Sequence, residues 1–371
     1  MNEEVRRSPA AFALGSAPGA AGAQGEAEAV IGDDGIGVGP VTVAFLDADA
    51  VRAADYRIEL DLWPSGRLTL SQLGRRFDAF AAELRRSRNQ ARVAGLLAHG
   101  IAMPEVYPGA LLDGRSARGA ELQLYDTHLT AVPDDADPFQ LPLGALTAVT
   151  ASDDPPSVVL DAGGQRTVVG QLGRRRDAFQ AAVMKRRDAQ ARLLAVLTGV
   201  AGFADGLALP RSKVTGFDAL LQRVTAAERS DCAAALLAAG KGGEPRLGFV
   251  QLLDPDADAL QPPSALPENW AAFLLVPAGR LVALEILAGP SAASYVFEGE
   301  ADAIGRDLQA LHLRRGPLAL SDQDAEPTPA NPYRLALRRL EPLRRLRAAT
   351  RARVIHNEGW AEALKAALAR A

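Results

Sequence analysis

Cysteine is almost missing from this chain. Cys232 is the only one in 371 residues, which excludes a disulfide framework and a cysteine-rich zinc site. Lysine is nearly as scarce: Lys185, Lys213, Lys241 and Lys365 stand against 37 arginines, the composition that high-GC coding produces. No run of about 18 apolar residues occurs, so a membrane-spanning helix is not expected. The short apolar stretch Ala10 to Leu14 is broken by Gly15 and Pro18, before a secretory signal core reaches its usual length. A lone thiol and no export signal make a cytoplasmic protein the expectation. Neither sign of charge dominates, since 41 basic residues face 45 acidic ones for a net charge of −4. A generally cationic nucleic-acid binder is excluded at the level of the whole chain.

Local catalytic patterns are missing too. There is no Walker loop, no G-x-S-x-G elbow and no H-E-x-x-H pair. The four histidines, His99, His128, His312 and His356, lie far apart in sequence, and none has a second ligand at helical spacing, so no metal is expected. Gly35-Ile36-Gly37-Val38-Gly39 opens onto strands and not onto a helix N-terminus, and reads as a turn or strand edge. Cys232, ahead of Ala233 to Ala235 in a helical stretch, reads as core packing. Trp63, Trp270 and Trp360 read as packing anchors. No catalytic residue and no cofactor is assigned.

What is present is an internal repeat. Gln72-Leu73-Gly74-Arg75-Arg76-Phe77-Asp78-Ala79-Phe80 recurs as Gln171-Leu172-Gly173-Arg174-Arg175-Arg176-Asp177-Ala178-Phe179, with eight of nine positions identical at an offset of 99. The likeness continues to Gln90-Ala91-Arg92 against Gln190-Ala191-Arg192, and backward to Ala27-Glu28 against Ala120-Glu121. Two copies of one unit follow, over residues 26–100 and 118–200, behind a disordered N-terminus of residues 1–25. In the first copy Tyr56, Ile58, Leu60 and Leu62 alternate with Arg57, Glu59 and Asp61, the period of a half-buried strand. After the Pro64-Ser65-Gly66 turn and a strand with Leu68 and Leu70, Phe77, Phe80, Ala81 and Leu84 take the spacing of an amphipathic helix. The second copy repeats the plan with Val158 to Leu160, a Gly163-Gly164 turn, Val168-Val169, and Phe179 with Val183 on the helix.

A linker over residues 201–213 leads to a helix expected from Phe217 to Ala239. Three strands then meander through Trp270 to Val276, Arg280 to Leu287 and Ser294 to Phe297, with a Gly289-Pro290 turn before the last. A helix over Glu300 to Leu311 closes the region 214–315, a diverged α+β segment read as a candidate third copy. Residues 316–332 read as a linker, and 333–371 as an Arg-rich helical tail. The tail carries ten basic and three acidic residues, net +7, against −11 for residues 1–332.

Several antiparallel strands closed by one C-terminal helix, in copies of about 80 residues, resemble bacterial pleckstrin-homology-like domains. The line Glu121-Leu122-Gln123-Leu124-Tyr125-Asp126-Thr127-His128-Leu129, with Leu141 to Leu146, looks like the opening strands of that class and of its GRAM-like relatives. The resemblance implies an α+β fold of tandem PH-like units and a binding platform, not an enzyme. Inositol-lipid binders of the class carry a basic cluster between the first two strands. The loop matched to it here, Gly32-Asp33-Asp34-Gly35, is acidic, so phosphoinositide binding through it is not expected.

The candidate contact residues are arginines. Arg75, Arg76, Arg174, Arg175 and Arg176 sit where a helix begins, a position that disfavours cations. They either pair with strand carboxylates such as Glu59 and Asp61 or hold an anionic partner. In the tail, Leu335, Leu337, Leu340, Leu343 and Leu346 give an apolar side between arginines, so the tail is expected to dock on the acidic body, with Arg338, Arg345 and Leu340 in contact. The alternative is an exposed basic surface for membrane phosphates or nucleic acid. Without interleaved aromatics nucleic acid is disfavoured. The expected function is a non-enzymatic binding or scaffold protein with a protein partner; an anionic-surface binder and an enzyme with a site between units are the rivals.

Overall fold

A computed structural model describes residues 3–15, 22–100, 103–114, 116–162, 164–198, 208–251, 270–288, 292–325 and 331–369. These form a mixed α+β protein around three antiparallel sheets. The Gly163-Gly164 and Gly289-Pro290 turns, in whole or part, fall outside the described residues, as do 201–207 of the first linker and 326–330 of the second.

The first sheet contains β1 (Arg7–Gly15), β2 (Gln24–Ile31), β3 (Gly35–Val38), β4 (Val41–Ala44), β5 (Ala48–Ala54), β6 (Arg57–Leu62) and β7 (Arg67–Ser71), followed by helix α1 (Phe77–Gly95). The second contains β8 (Glu105–Asp113), β9 (Ser116–Leu124), β10 (His128–Pro133), β11 (Phe139–Pro142), β12 (Leu146–Asp153), β13 (Pro156–Ala162) and β14 (Gln165–Gly170), followed by α2 (Arg176–Thr198). Strand order is the same in both, β4-β3-β2-β1-β7-β6-β5 and β11-β10-β9-β8-β14-β13-β12. In each, the first strand pairs with the last, so the sheet turns back on itself and its helix covers the apolar face.

The repeated motif has a backbone reason. Gln72 and Gly74 adopt φ of 59° and 57°, and Gln171 and Gly173 adopt 57° and 55°. Left-handed residues on either side of Leu73 or Leu172 reverse the chain from the last strand into the helix, and a β-branched residue could not take that conformation cheaply. The leucine between them is turned into the core. One turn further on, Phe80 and Phe179 are both fully buried, in equivalent places in the first and second cores. Phe80→Ala and Phe179→Ala are each expected to destabilise their unit by about 3–5 kcal/mol, measurable by urea unfolding; a loss below about 1 kcal/mol would show that the helix face is not packed as described.

Several expectations are corrected. The N-terminus is not disordered over residues 7–15, because β1 lies inside the first sheet, paired with β2 from Arg7 to Ala13 and with β7 from Ala11 to Gly15. Its small side chains hide the strand period; only Phe12 stands out. Pro9 falls where β1 has a partner on one side only, the position in which a strand tolerates proline. The first unit therefore begins near residue 7 and the second at Glu105, not at 26 and 118. The Gly32–Gly35 loop consequently joins the second and third strands.

The third sheet is built otherwise. It runs β15 (Ala208–Pro210), β16 (Arg246–Gln251), β17 (Trp270–Ala278), β18 (Leu281–Ala288), β19 (Ala293–Glu298) and β20 (Thr350–Ile355) in sequential order. Among the described residues no first-to-last pairing closes it, so its topology does not repeat that of the two units. Between β15 and β16 the expected single helix is two, α3 (Phe217–Val224) and α4 (Ser230–Ala239). Thr225 is extended at the break (φ −86°, ψ 119°), and the Ala226 amide donates to Leu287 of β18, 2.9 Å away. Sheet contact outweighs helix continuation there. After β19 come α5 (Ala301–Ala310), α6 (Arg334–Arg339) and α7 (Glu341–Ala349), and after β20 comes α8 (Trp360–Leu368).

The tail is thus not purely helical, since β20 forms the edge of the third sheet, in register with β19 from Ala293↔Ile355 to Phe297↔Thr350. Nor are residues 316–332 wholly a linker. Pro317 and Leu318 are buried in a short 3-10 turn, and Arg347 of α7 donates to the carbonyls of Pro317 (2.7 Å) and Leu320 (3.2 Å). No described helix is long and apolar enough to cross a membrane.

Candidate functional site

The two units meet along a groove of about 1150 Å3. Helix α1 supplies one wall through Ala79, Ala82 and Glu83, and the outer face of β8 and β9 supplies the other through Val106, Pro108, Gly119 and Glu121. Alanines leave room on the α1 wall. Ala79 and Ala82 are exposed on α1 because the helix turns Phe80, Ala81 and Leu84 into its own core. At the lip Val106 is 43% exposed, and Met103 nearby in sequence is 93% exposed. Groove charges are of both signs: Glu83 accepts from Arg6 (3.1 Å) and from Arg86, and Arg85 approaches Asp134 at 3.9 Å.

The five helix-start arginines separate. Arg175 lines the groove, and with Arg75 and Arg174 it is exposed, with no ion-pair partner among the described residues. Arg76 donates to the carbonyl of Arg7, 2.9 Å away, tying α1 to β1. Arg176 is held by Asp153 (2.7 Å) and Asp177 (3.0 Å). Glu59 and Asp61, named as partners for this group, pair with Arg67 and Arg52 instead, because those arginines project from the neighbouring strands β7 and β5.

The tail arginines are engaged with the body. Arg338 donates to Asp47 (3.3 Å) and to the Leu46 carbonyl (2.9 Å), and its guanidinium lies 3.9 Å from the Trp63 ring centroid. Arg334 reaches both oxygens of Asp47 and Arg339 both oxygens of Asp49. Arg345 grips Asp307 with two bonds of 2.6 and 3.0 Å and also Glu341. Leu340 is half-buried between two clusters. On the body side, α1 contributes Arg88 and Arg92, both almost fully buried, which bond the Ala48 carbonyl. Burial and the neighbouring Arg92 push the Arg88 guanidinium down to about 10. Gly95 lets this junction close, since a side chain there would meet Leu46 at 2.6 Å and Leu335 at 3.4 Å.

Histidines separated in sequence are brought together. The rings of His128 and His312 lie 4.4 Å apart, and Tyr125 stacks on His128 at 4.7 Å. His312 bonds Gln140 (3.0 Å), while His128 meets Thr127 (2.8 Å) and the Ala98 carbonyl (3.3 Å). Burial holds His128 well below the ordinary imidazole range and His312 down to about 3. This cluster joins both units to the third region, and no local spacing in the sequence announces it. His356 goes elsewhere, beside Cys232 and Glu285. No protein-family model matches the chain, and no curated protein matches it.

Proposed function

We propose that the chain is a non-enzymatic binding protein whose two repeated units are PH-like modules, and that it takes an extended segment of a protein partner into the groove between them. The groove itself carries this reading. It is open to solvent, the exposed Ala79 and Ala82 leave room on the α1 wall for a backbone, an apolar lip is exposed at Val106, and Arg175 stands at its edge with no ion-pair partner among the described residues. Charges of both signs suit a peptide better than a uniformly anionic surface. The connection between the first two strands, residues 16–23, contains no charged residue, so the phosphoinositide site of the class has no counterpart in the first unit. Location in the cytoplasm is part of the same proposal.

Ala82→Trp tests it. The side chain is exposed, so the melting temperature is expected to stay within about 2 °C, as for surface changes generally. Photo-crosslinkers placed at Ala82 and Val106 are expected to capture one polypeptide that a crosslinker at exposed Tyr56, outside the groove, does not. Purified, that polypeptide should bind Ala82→Trp at least tenfold more weakly, about 1.4 kcal/mol. Capture of lipid or nucleic acid, or equal binding by the variant, would sink the proposal.

A further inference from the structure

The geometry points to a divalent-metal site in the third region, formed by Cys232 of α4, Glu285 of β18 and His356 just after β20. The ligating atoms of these three side chains all lie within 4.8 Å of one another. They are a thiol, a carboxylate and an imidazole, the donor set of a borderline-soft ion such as Zn2+. An independent observation supports a ligand here. Glu285 is fully buried, and its Oε1 has no hydrogen-bond partner, which is an expensive state for a carboxylate oxygen in a protein interior. The site is reachable from solvent, because Cys232 is half-buried and the His356 side chain is 13% exposed.

The other carboxylate oxygen is occupied. Ser294 donates to Glu285 Oε2, His356 Nε2 lies 3.1 Å from the same atom, and Trp360 Nε1 donates to Ser294 Oγ at 2.7 Å. Arg229 Nη1 lies 2.7 Å from His356 Nδ1. A guanidinium can only donate, so Nδ1 accepts and the ring proton sits on Nε2, which gives it to Glu285. This arrangement orients the imidazole before any ion arrives. Around a tetrahedral Zn2+, with bonds of about 2.0 to 2.3 Å, ligand atoms stand about 3.3 to 3.6 Å apart.

On binding, the Cys232 thiol releases its proton to solvent and the sulfur joins the ion as thiolate. The His356 ring proton passes from Nε2 to Nδ1 through solvent exchange, and Arg229 swings off Nδ1. The net change is one proton released, with no electron transferred. Water fills the fourth position. The ion would then tie α4 and the chain after β20 to the middle of the sheet, and would engage the carboxylate oxygen that is otherwise unpartnered.

The experiment uses the full chain, stripped with a chelator and titrated with Co2+ and then Zn2+. One equivalent of Co2+ is expected to give the near-ultraviolet thiolate charge-transfer band and the visible bands of a four-coordinate ion, and Zn2+ is expected to displace it and raise the melting temperature. Cys232→Ser should abolish the charge-transfer band, and Glu285→Gln and His356→Gln should weaken Zn2+ binding at least tenfold. Cys232→Ser is the control for folding, being the mildest change at a half-buried position. Arg229→Ala should bind at least as tightly as the natural chain, because it removes a contact the ion must displace. No band at one equivalent, a band unchanged by Cys232→Ser, or loss of binding in Arg229→Ala would overturn the assignment.

Discussion

Deletion of residues 333–371 is expected to unfold the third region, not to leave a stable body without its arm. The deleted segment supplies β20, the partner of β19, so its loss opens a new edge with unpaired amides and carbonyls. It also supplies Leu335, Leu343, Leu346, Trp360 and Leu364, each at most 6% exposed. Emptying any one of these sites costs about 2–5 kcal/mol. Together they amount to the whole stability of an ordinary domain, about 5–15 kcal/mol. The arginines add to this, since Asp47 and Asp307 would lose the cations that hold them and Asp49 would keep only Arg92, 3.5 Å away. Circular dichroism should show lost strand and helix content beyond the removed residues, and a dye for exposed apolar surface should bind. A truncated chain that keeps its melting temperature would show that the tail is an independent arm.

Acidification is expected to weaken the three-way junction at His128 and His312 before it affects the isolated cores. Both imidazoles are neutral in the folded protein, with values depressed below the ordinary 6.5, mainly by burial and secondarily by the other cations nearby. The unfolded chain therefore binds more protons than the folded one below about pH 6.5. Stability is complete above that value and is lost as pH falls, by about 1.4 kcal/mol per pH unit for each histidine. By pH 4.5 His312 alone would remove about 3 kcal/mol, its loss continuing until its folded value of about 3, and His128 adds in the same direction. Urea unfolding between pH 7 and pH 4.5 checks the slope. His312→Gln, which keeps a partner for Gln140 and carries no titrating proton, should make it clearly shallower; an unchanged slope in that variant would exclude the junction as the source.

The sequence was legible where physics is local. The period of Ile58, Leu60, Leu68 and Leu70 placed the last strands of the first unit, and the spacing of Phe80, Ala81 and Leu84 placed the buried face of α1. The Gln-Leu-Gly motif marked both units because two left-handed residues around an inward leucine must recur wherever that strand-to-helix corner recurs. The α+β class and the presence of two copies followed from these elements. β1 was not legible, because Ala10, Ala11 and Ala13 make a weak alternation that only pairing on both sides stabilises. The break at Thr225 was hidden for a related reason: the apolar pattern runs on through residues 217–239, and a backbone bond to β18 decides against it.

The candidate sites lay further from view. The groove exists because unit one presents the outer side of its helix to the outer side of two strands in unit two, a relation between surfaces that no segment encodes. The same holds for Arg338 and Arg345, whose placement in a leucine-spaced tail pointed to docking, while their carboxylate partners were chosen by the fold. Sequence by itself determined the last strands and the closing helix of the repeated unit, the duplication and the apolar side of the tail, since each depends on residues within a few turns or strand lengths of one another. Tertiary structure alone decided which charges meet, that the tail adds a strand to the third sheet, and that Cys232, Glu285 and His356 share one buried corner, because those outcomes depend on distances closed only after residues scores of positions apart have packed together.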